Sequence, residues 1–156
     1  MASMVIRGGI PGDEVLLMSM GERMWHESDH FKRHPHDLQT IKDLSHAVNT
    51  NPYYECFVAE LNGKPVGMWV GYMHRVWFSH ADVMAVSDLV FYVDKEHRGT
   101  SAAIRLLRAV ETWGAAMGAV ENTVGLSSGI DTEKTTCFFE KMGYTHGASI
   151  MVKELA

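Results

Sequence analysis

Leu89-Val90-Phe91-Tyr92-Val93-Asp94-Lys95-Glu96-His97-Arg98-Gly99-Thr100-Ser101-Ala102-Ala103-Ile104-Arg105-Leu106-Leu107 runs from an apolar stretch through a short polar turn and directly into a helical pattern. Residues 84–93 are apolar on both faces, the mark of a strand inside a sheet. The turn contains Arg98-Gly99 and is followed by the small residues Ser101, Ala102 and Ala103. A strand-to-helix turn of this kind aims several backbone N–H groups at one point, at the positive end of the next helix dipole. It reads as a phosphate site or as a plain connection, and the rest of the chain has to decide between them.

Working outward, residues 4–7 read as a first strand. Pro11-Gly12-Asp13 starts a helix that runs to about residue 27, with Val15, Leu16, Met18, Met20 and Met24 on its apolar side. Residues 28–37 are polar and rich in histidine. Asp37 caps a second helix with Leu38, Ile41, Leu44 and Val48 on one face. A strand over 54–61 and its partner over 66–74 are joined through Asn62-Gly63, a strong hairpin signal. A loop spans 76–82. Beyond the central strand come a helix over 101–117 ended by Gly118, a strand over 123–126, and the loop Ser127-Ser128-Gly129. A helix capped by Asp131 or Thr132 and ended by Gly143 follows. Tyr144-Thr145 and residues 149–155 read as one or two final strands. An antiparallel meander leading into a strand–helix–strand crossover implies an α+β fold. Its central sheet is mixed and mostly antiparallel, with helices on both faces, and one domain spans 1–156.

The 156 residues are enough for one hydrophobic core. A net charge of −5 argues against a surface built to coat nucleic acid, so no nucleic-acid partner is expected. Apolar runs too short to span a bilayer lead us to expect no membrane partner. No signal peptide is expected, and the default location is cytoplasmic. Cys56 and Cys137 stand far apart in apolar stretches and read as two buried free thiols, which fits a reducing compartment. The eleven methionines read mostly as core filler.

At this point the chain resembles the GNAT superfamily of acyl-CoA-dependent N-acyltransferases. Two segments carry the likeness, and the element order extends it over nearly the whole chain. The first is Phe91-Tyr92-Val93-Asp94-Lys95-Glu96-His97-Arg98-Gly99, where the family places an L-x-V-x-P-E-x-R-G-like stretch and a glycine-rich turn. The second, Phe138-Phe139-Glu140-Lys141-Met142-Gly143-Tyr144, is similar to the family's F-Y-E-K-x-G-F segment. The turn is also similar to that of a group of small bacteriophage GNAT proteins, in which Arg-Gly-Ser-x-Ala-Ala replaces the glycines. A phage product would work in the host cytoplasm.

The resemblance implies acetyl-CoA as co-substrate and an amine-bearing acceptor, with acetyl transferred to a primary amine by direct attack. It places the pyrophosphate on the N–H groups of Arg98, Gly99, Thr100, Ser101, Ala102 and Ala103. The pantetheine arm would lie along Phe91, Tyr92 and Val93, with Thr135, Phe138 and Phe139 beside it. Small proteins of the family are often homodimers, and the same assembly is an expectation here.

Two departures from the family pattern stand out. Ser101 occupies a position where the family often has glycine; its hydroxyl can donate to a phosphate. Phe139 stands where many members carry the tyrosine assigned as general acid, and it has no proton to give. Thr135, Thr136, Cys137, Tyr144, Ser127 and Ser128 are the nearby groups that could donate instead. A coenzyme A thiolate, with a thiol-like pKa of about 8.5, is already a fair leaving group. Loss of the acid therefore slows transfer rather than forbidding it.

Transfer also needs a base for the amine proton. Asp88 lies in an otherwise apolar run, and is either paired at a strand end or functional. Glu27 is the second carboxylate candidate, in a segment that often lines the acceptor site in the family. His26, His30 and His34 are spaced by four, but Pro35 and Ser28-Asp29 oppose a continuous helix, and no metal site is expected. That stretch reads as a solvated loop, or as an acceptor loop in which Glu27, Ser28 or His30 touches substrate. His74, Trp77, Phe78 and His80 form a second aromatic group: core, dimer contact or far wall of the acceptor pocket. The alternative to an enzyme is an acyl-CoA-binding or protein-interaction module of the same fold.

Overall fold

The computed structural model describes residues 3–79 and 82–155. Among them, five strands form one sheet in the order β1 (Met4–Gly8), β2 (Tyr54–Leu61), β3 (Lys64–Arg75), β4 (Met84–Val93) and β5 (Ala119–Thr123). The first three pairings are antiparallel and β4–β5 is parallel. Helices α1 (Glu14–Glu27) and α2 (Leu38–Thr50) connect β1 to β2, α3 (Ala102–Ala116) makes the crossover, and α4 (Thr132–Lys141) follows β5. The mixed, mostly antiparallel sheet is the one the sequence implies.

Local chemistry accounts for these elements. Asn62 and Gly63 both have positive φ, 52° and 78°, which gives the β2–β3 hairpin a twist that matches its strands. Asp37 caps α2 by accepting from the Gln39 N–H at 3.0 Å. Asp13 accepts two hydrogen bonds from Arg7 and one from the Ile10 N–H, tying the start of α1 to β1. The Arg7 guanidinium holds the Asp13 carboxyl below the usual carboxylate range.

The sheet is buried on both faces. On one, Trp69, Val86 and Val93 pack against Ala102, Leu106 and Val110 of α3. On the other, Val58, Met68, Val70 and Tyr92 pack against Leu17, Met20 and Met24 of α1, with α2 outside them.

Three expectations need correction. Residues 144–155 form no strand: Gly143, at φ 91°, turns the chain back, and the Tyr144 N–H is spent on the Phe139 carbonyl at the end of α4. Ile150, Met151, Val152 and Leu155 beyond it are exposed. Their strand propensity is not enough without a sheet edge to receive their N–H groups. The final sheet strand starts at Ala119 rather than 123, because Gly118, at φ 83°, reverses the chain directly after α3. Of the two thiols only Cys56 is buried. Cys137 lies two residues before the buried Phe139, and helical periodicity turns it to solvent.

Candidate active site

β4 and β5 run side by side from Met84↔Ala119 to Ser87↔Thr123 and then part. Asp88 stands at the parting point. Its Oδ1 accepts the Gly125 N–H at 2.7 Å, so Gly125 bonds to a side chain where a longer ladder would need a strand. On the other side of β4 the register with β3 shifts between Val70↔Val90 and Gly71↔Asp88, leaving Leu89 as a bulge. The bulge and the splay together open a cleft of about 560 Å³ beside the second half of β4.

The cleft brings most of the expected cofactor residues together. Phe91, Tyr92, Val93, Arg98, Gly99, Thr100, Ala103, Thr135, Phe138 and Phe139 line it, as does Ser128. Ala102 does not; it is fully buried under the sheet. Ser101 is exposed at the start of α3 and its hydroxyl caps nothing. The Thr100 hydroxyl donates to the His97 carbonyl at 2.7 Å and accepts from the Ala102 N–H at 3.3 Å. The N–H groups of Ser101, Ala103 and Ile104 reach no acceptor among the described residues. These are the free donors that a helix start leaves behind, and they mark an anion site.

Gly99 has φ 88° and open space where a Cβ would stand, so it is required for its backbone conformation and not for room. Gly99→Val forces the turn out of the left-handed region and misaligns the free amides. The expected result is an acetyl-CoA Kd raised by about tenfold or more, measured by calorimetry.

Arg98 is held in place rather than free. Its Nε donates to the Val93 carbonyl at 3.0 Å, its Nη2 lies 2.8 Å from Glu27 Oε2, and its Nη1 lies 3.8 Å from Asp131. The guanidinium also sits 5.6 Å from the Tyr92 ring centroid. Glu27 closes the cluster by accepting the Tyr92 hydroxyl at 2.5 Å on Oε1. Burial, with the Glu27 carboxylate beside it, pushes the Tyr92 phenol above its ordinary range. Glu27, the last residue of α1, thus joins α1 to the turn before α3. Ser28, next in the chain, is fully buried and donates to the Ser128 carbonyl at 2.5 Å, which fastens the α1–α2 connection to the loop after β5.

Asp88 is half-buried, and burial raises its carboxyl to about 6, opposed by the Gly125 N–H. A carboxylate in that range is well placed to take a proton near neutral pH. At the other wall, Phe139 packs among Phe91, Phe138 and Tyr144, with ring centroids 5.4–5.9 Å away. The Tyr144 hydroxyl donates to Glu111 at 3.1 Å and accepts from Asn122 at 2.7 Å. Of the hydroxyls named as substitutes for a missing tyrosine, those of Ser128 and Thr135 belong to cleft-lining residues.

Several site residues escape a reading of the sequence. Lys95, His97 and Lys134 line the cleft with Arg98, and Lys95, Lys134 and Arg98 give it a cationic rim. Lys95 and His97 lie inside the quoted turn, whereas Lys134 on α4 carries no local signal. Asp131, expected only as a cap, has φ 43° and turns its carboxylate toward Arg98. Next to Asp88, Ser87 Oγ lies 2.8 Å from His74 Nε2 and 2.5 Å from Thr123 Oγ1, a polar chain that spans three strands. His74 therefore belongs to the sheet. Trp77 and Phe78 are exposed beyond it, which rules out the core reading for them, and His80 lies outside the described residues. Because α1 ends at Glu27, His26, His30 and His34 share no helix face.

The sequence model of the acetyltransferase (GNAT) family matches residues 20–144. Among curated protein sequences none matches the chain. Solved structures of the same fold include AAC(6')-Iy in complex with a bisubstrate analogue of CoA and acetylneamine. It has a TM-score of 0.78 and 15% identity, over 99% of this chain and 99% of that one. A structure of that aminoglycoside N-acetyltransferase with CoA gives 0.77 and 15%, over 100% and 97%. An aminoglycoside acetyltransferase from an uncultured soil metagenomic sample, in complex with sisomicin, gives 0.71 and 16%, over 98% and 97%. At such identities the likeness is one of fold.

Proposed function

The chain belongs to the acetyltransferase (GNAT) family, N-acetyltransferases with acetyl-CoA as co-substrate, and on that premise we propose that it moves acetyl to a primary amine by direct attack, with Asp88 as the base. The observation that carries this reading is the cleft where β4 and β5 part, with free α3 amides at one end and, just behind its lining, Asp88 bonded to the lining residue Gly125. The amides of the Arg98–Ala103 turn and the cations around it take the pyrophosphate. The exposed edge of β4 over Phe91 and Val93 offers its backbone groups to the pantetheine amides. The amine nitrogen bonds to the thioester carbonyl carbon, its proton passes to Asp88, and the C–S bond breaks to release the thiolate. A hydroxyl of Ser128 or Thr135 can donate a hydrogen bond to that sulfur, which leaves as the thiolate and takes its proton from solvent.

Calorimetry with acetyl-CoA tests the reading. Saturable binding coupled to thiol release on a panel of primary amines is the expected result; no binding at millimolar acetyl-CoA overturns it. Phe139 supports a second reading, a module of the same fold that binds acyl-CoA without efficient transfer, since its ring leaves no acid where the family often has one. Tight acetyl-CoA binding with no thiol release from any amine would favour that module. The aminoglycosides on which the structural relatives act belong in the panel as candidate acceptors.

A further inference from the structure

We propose that the acceptor is a primary amine on a single apolar arm, aryl or alkyl, ending in one hydrogen-bonding group, and that this arm fills the cavity enclosed by α1, α2 and the β4 bulge. The proposal rests on the acetyl-transfer reading and names the acceptor class for the same site.

This second cavity, of about 300 Å³, lies on the sheet face opposite α3. It is adjacent to the cofactor cleft: Met24 is a wall of both. β4 supplies consecutive residues to the two, Leu89 and Val90 to the smaller and Phe91 to Val93 to the larger. An acyl group led along 91–93 therefore lies next to the β4 residues, Leu89 and Val90, that wall the smaller cavity. An amine whose arm lies in that cavity meets the acyl group from the α1–α2 side.

The chemistry of the wall selects the arm. Leu17, Phe31, Ile41, Leu44 and Val70 make it apolar. Its carboxylate, Asp37, is already engaged: one oxygen accepts the Gln39 N–H at 3.0 Å and the other the Thr40 hydroxyl at 2.6 Å. A polycationic acceptor would bring several charges to an apolar wall that has a single carboxylate among its lining residues. The volume is at the lower end of the range of about 300–1,000 Å³ for small-molecule sites, room for one ring or a short chain rather than several linked sugars.

One polar feature remains. His36 lines the cavity, and its Nε2 is buried with no hydrogen-bond partner. The ring lies tilted against Trp25, centroids 5.5 Å apart, and the Trp25 Nε1 donates to the His34 carbonyl at 3.1 Å. A buried ring nitrogen without a partner is unfavourable, and a hydroxyl at the end of the arm would satisfy it.

The test is thiol release from acetyl-CoA with phenethylamine, tyramine, spermidine and sisomicin. Both aryl amines are expected to exceed spermidine and sisomicin in kcat/KM by about tenfold or more, with tyramine ahead of phenethylamine by about fivefold. Leu44→Trp, which fills the cavity, should raise KM for both aryl amines by about tenfold while the acetyl-CoA Kd stays within about twofold. His36→Leu should erase the tyramine advantage, bringing the ratio of kcat/KM for tyramine to that for phenethylamine to about one. The proposal is overturned if spermidine or sisomicin is the better substrate, if neither aryl amine releases thiol, or if a Leu44→Trp protein that binds acetyl-CoA keeps its aryl-amine KM. Failure of the native protein to bind acetyl-CoA would instead overturn the acetyl-transfer reading beneath it.

Discussion

Asp88→Asn is expected to lower kcat/KM for acetyl transfer by about 10²–10⁴-fold while leaving the acetyl-CoA Kd within about twofold. The substitution keeps an oxygen to accept the Gly125 N–H, so the parting of β4 and β5 survives. It removes the carboxylate that we propose takes the amine proton. A variant with both kcat/KM and Kd unchanged would take Asp88 out of the chemistry. The pH profile gives a second readout. A base must be deprotonated to act, and burial puts the Asp88 carboxyl at about 6. Native kcat/KM should therefore rise with pH through a midpoint near that value, and the rise should be missing from the residual activity of Asp88→Asn.

The same group links activity to stability. Its folded pKa is raised from 3.8 to about 6, so the folded protein holds the proton more tightly than the unfolded chain. The stability this gives is fully present below 3.8 and is lost as pH rises through about 6. At neutral pH the protein keeps a half-buried carboxylate that folding disfavours. Asp88→Asn should then melt higher than the native protein at about pH 8, with the difference shrinking toward about pH 4. An equal melting shift at both pH values would count against a perturbed Asp88.

The second large effect is structural. Gly71→Ala should destabilise the fold by about 3 kcal/mol, lowering Tm by roughly 6–12 °C for a chain of this size. Gly71 pairs with Asp88 across β3–β4 at the bulge. A Cβ there would stand 2.3 Å from the Ser87 carbonyl oxygen and 2.4 Å from the Trp69 ring. Trp69 is fully buried between Phe57 and Trp113, at 6.2 and 6.1 Å, so the ring has nowhere to retreat. Relief must come from β4, which would displace Asp88 as well. Gly8→Ala is the control: nothing lies within 4 Å of its added Cβ, and its cost should stay within about 0.5 kcal/mol. A Gly71→Ala protein that melts with the native one would show that the bulge gives way freely.

What could be read from the chain follows the range of the interactions involved. The Asn62-Gly63 hairpin, the Asp37 cap, the both-face apolar pattern of β4 and the Arg98-Gly99 turn into α3 are each set by a few neighbouring residues, and their chemistry is visible in the string. The two motif segments, one at the turn and one on α4, place an acyl-CoA family on the chain for the same reason. Strand composition misleads where pairing decides. Residues 149–155 have strand composition and no partner. The Ala119 strand has weak composition and is held in the sheet by β4.

The site is less legible, because its parts come from distant stretches. Glu27, Tyr92, Arg98 and Asp131 meet only because α1, β4, the phosphate turn and α4 converge; no spacing along the chain encodes an ion pair between residues 27 and 98. Lys134 reaches the cleft the same way, as does the His74–Ser87–Thr123 chain across the sheet. By itself, then, the sequence determined most of the elements, their order and the Arg98-Gly99 turn into α3, since local backbone preferences and apolar periodicity are sufficient for these. The tertiary structure alone decided that β4 bulges at Leu89 and parts from β5 at Asp88, that burial raises the Asp88 carboxyl, and that an apolar cavity opens beside Leu89 and Val90. Those features depend on which surfaces pack together and which backbone groups are left without partners, and neither is written in any single stretch of the chain.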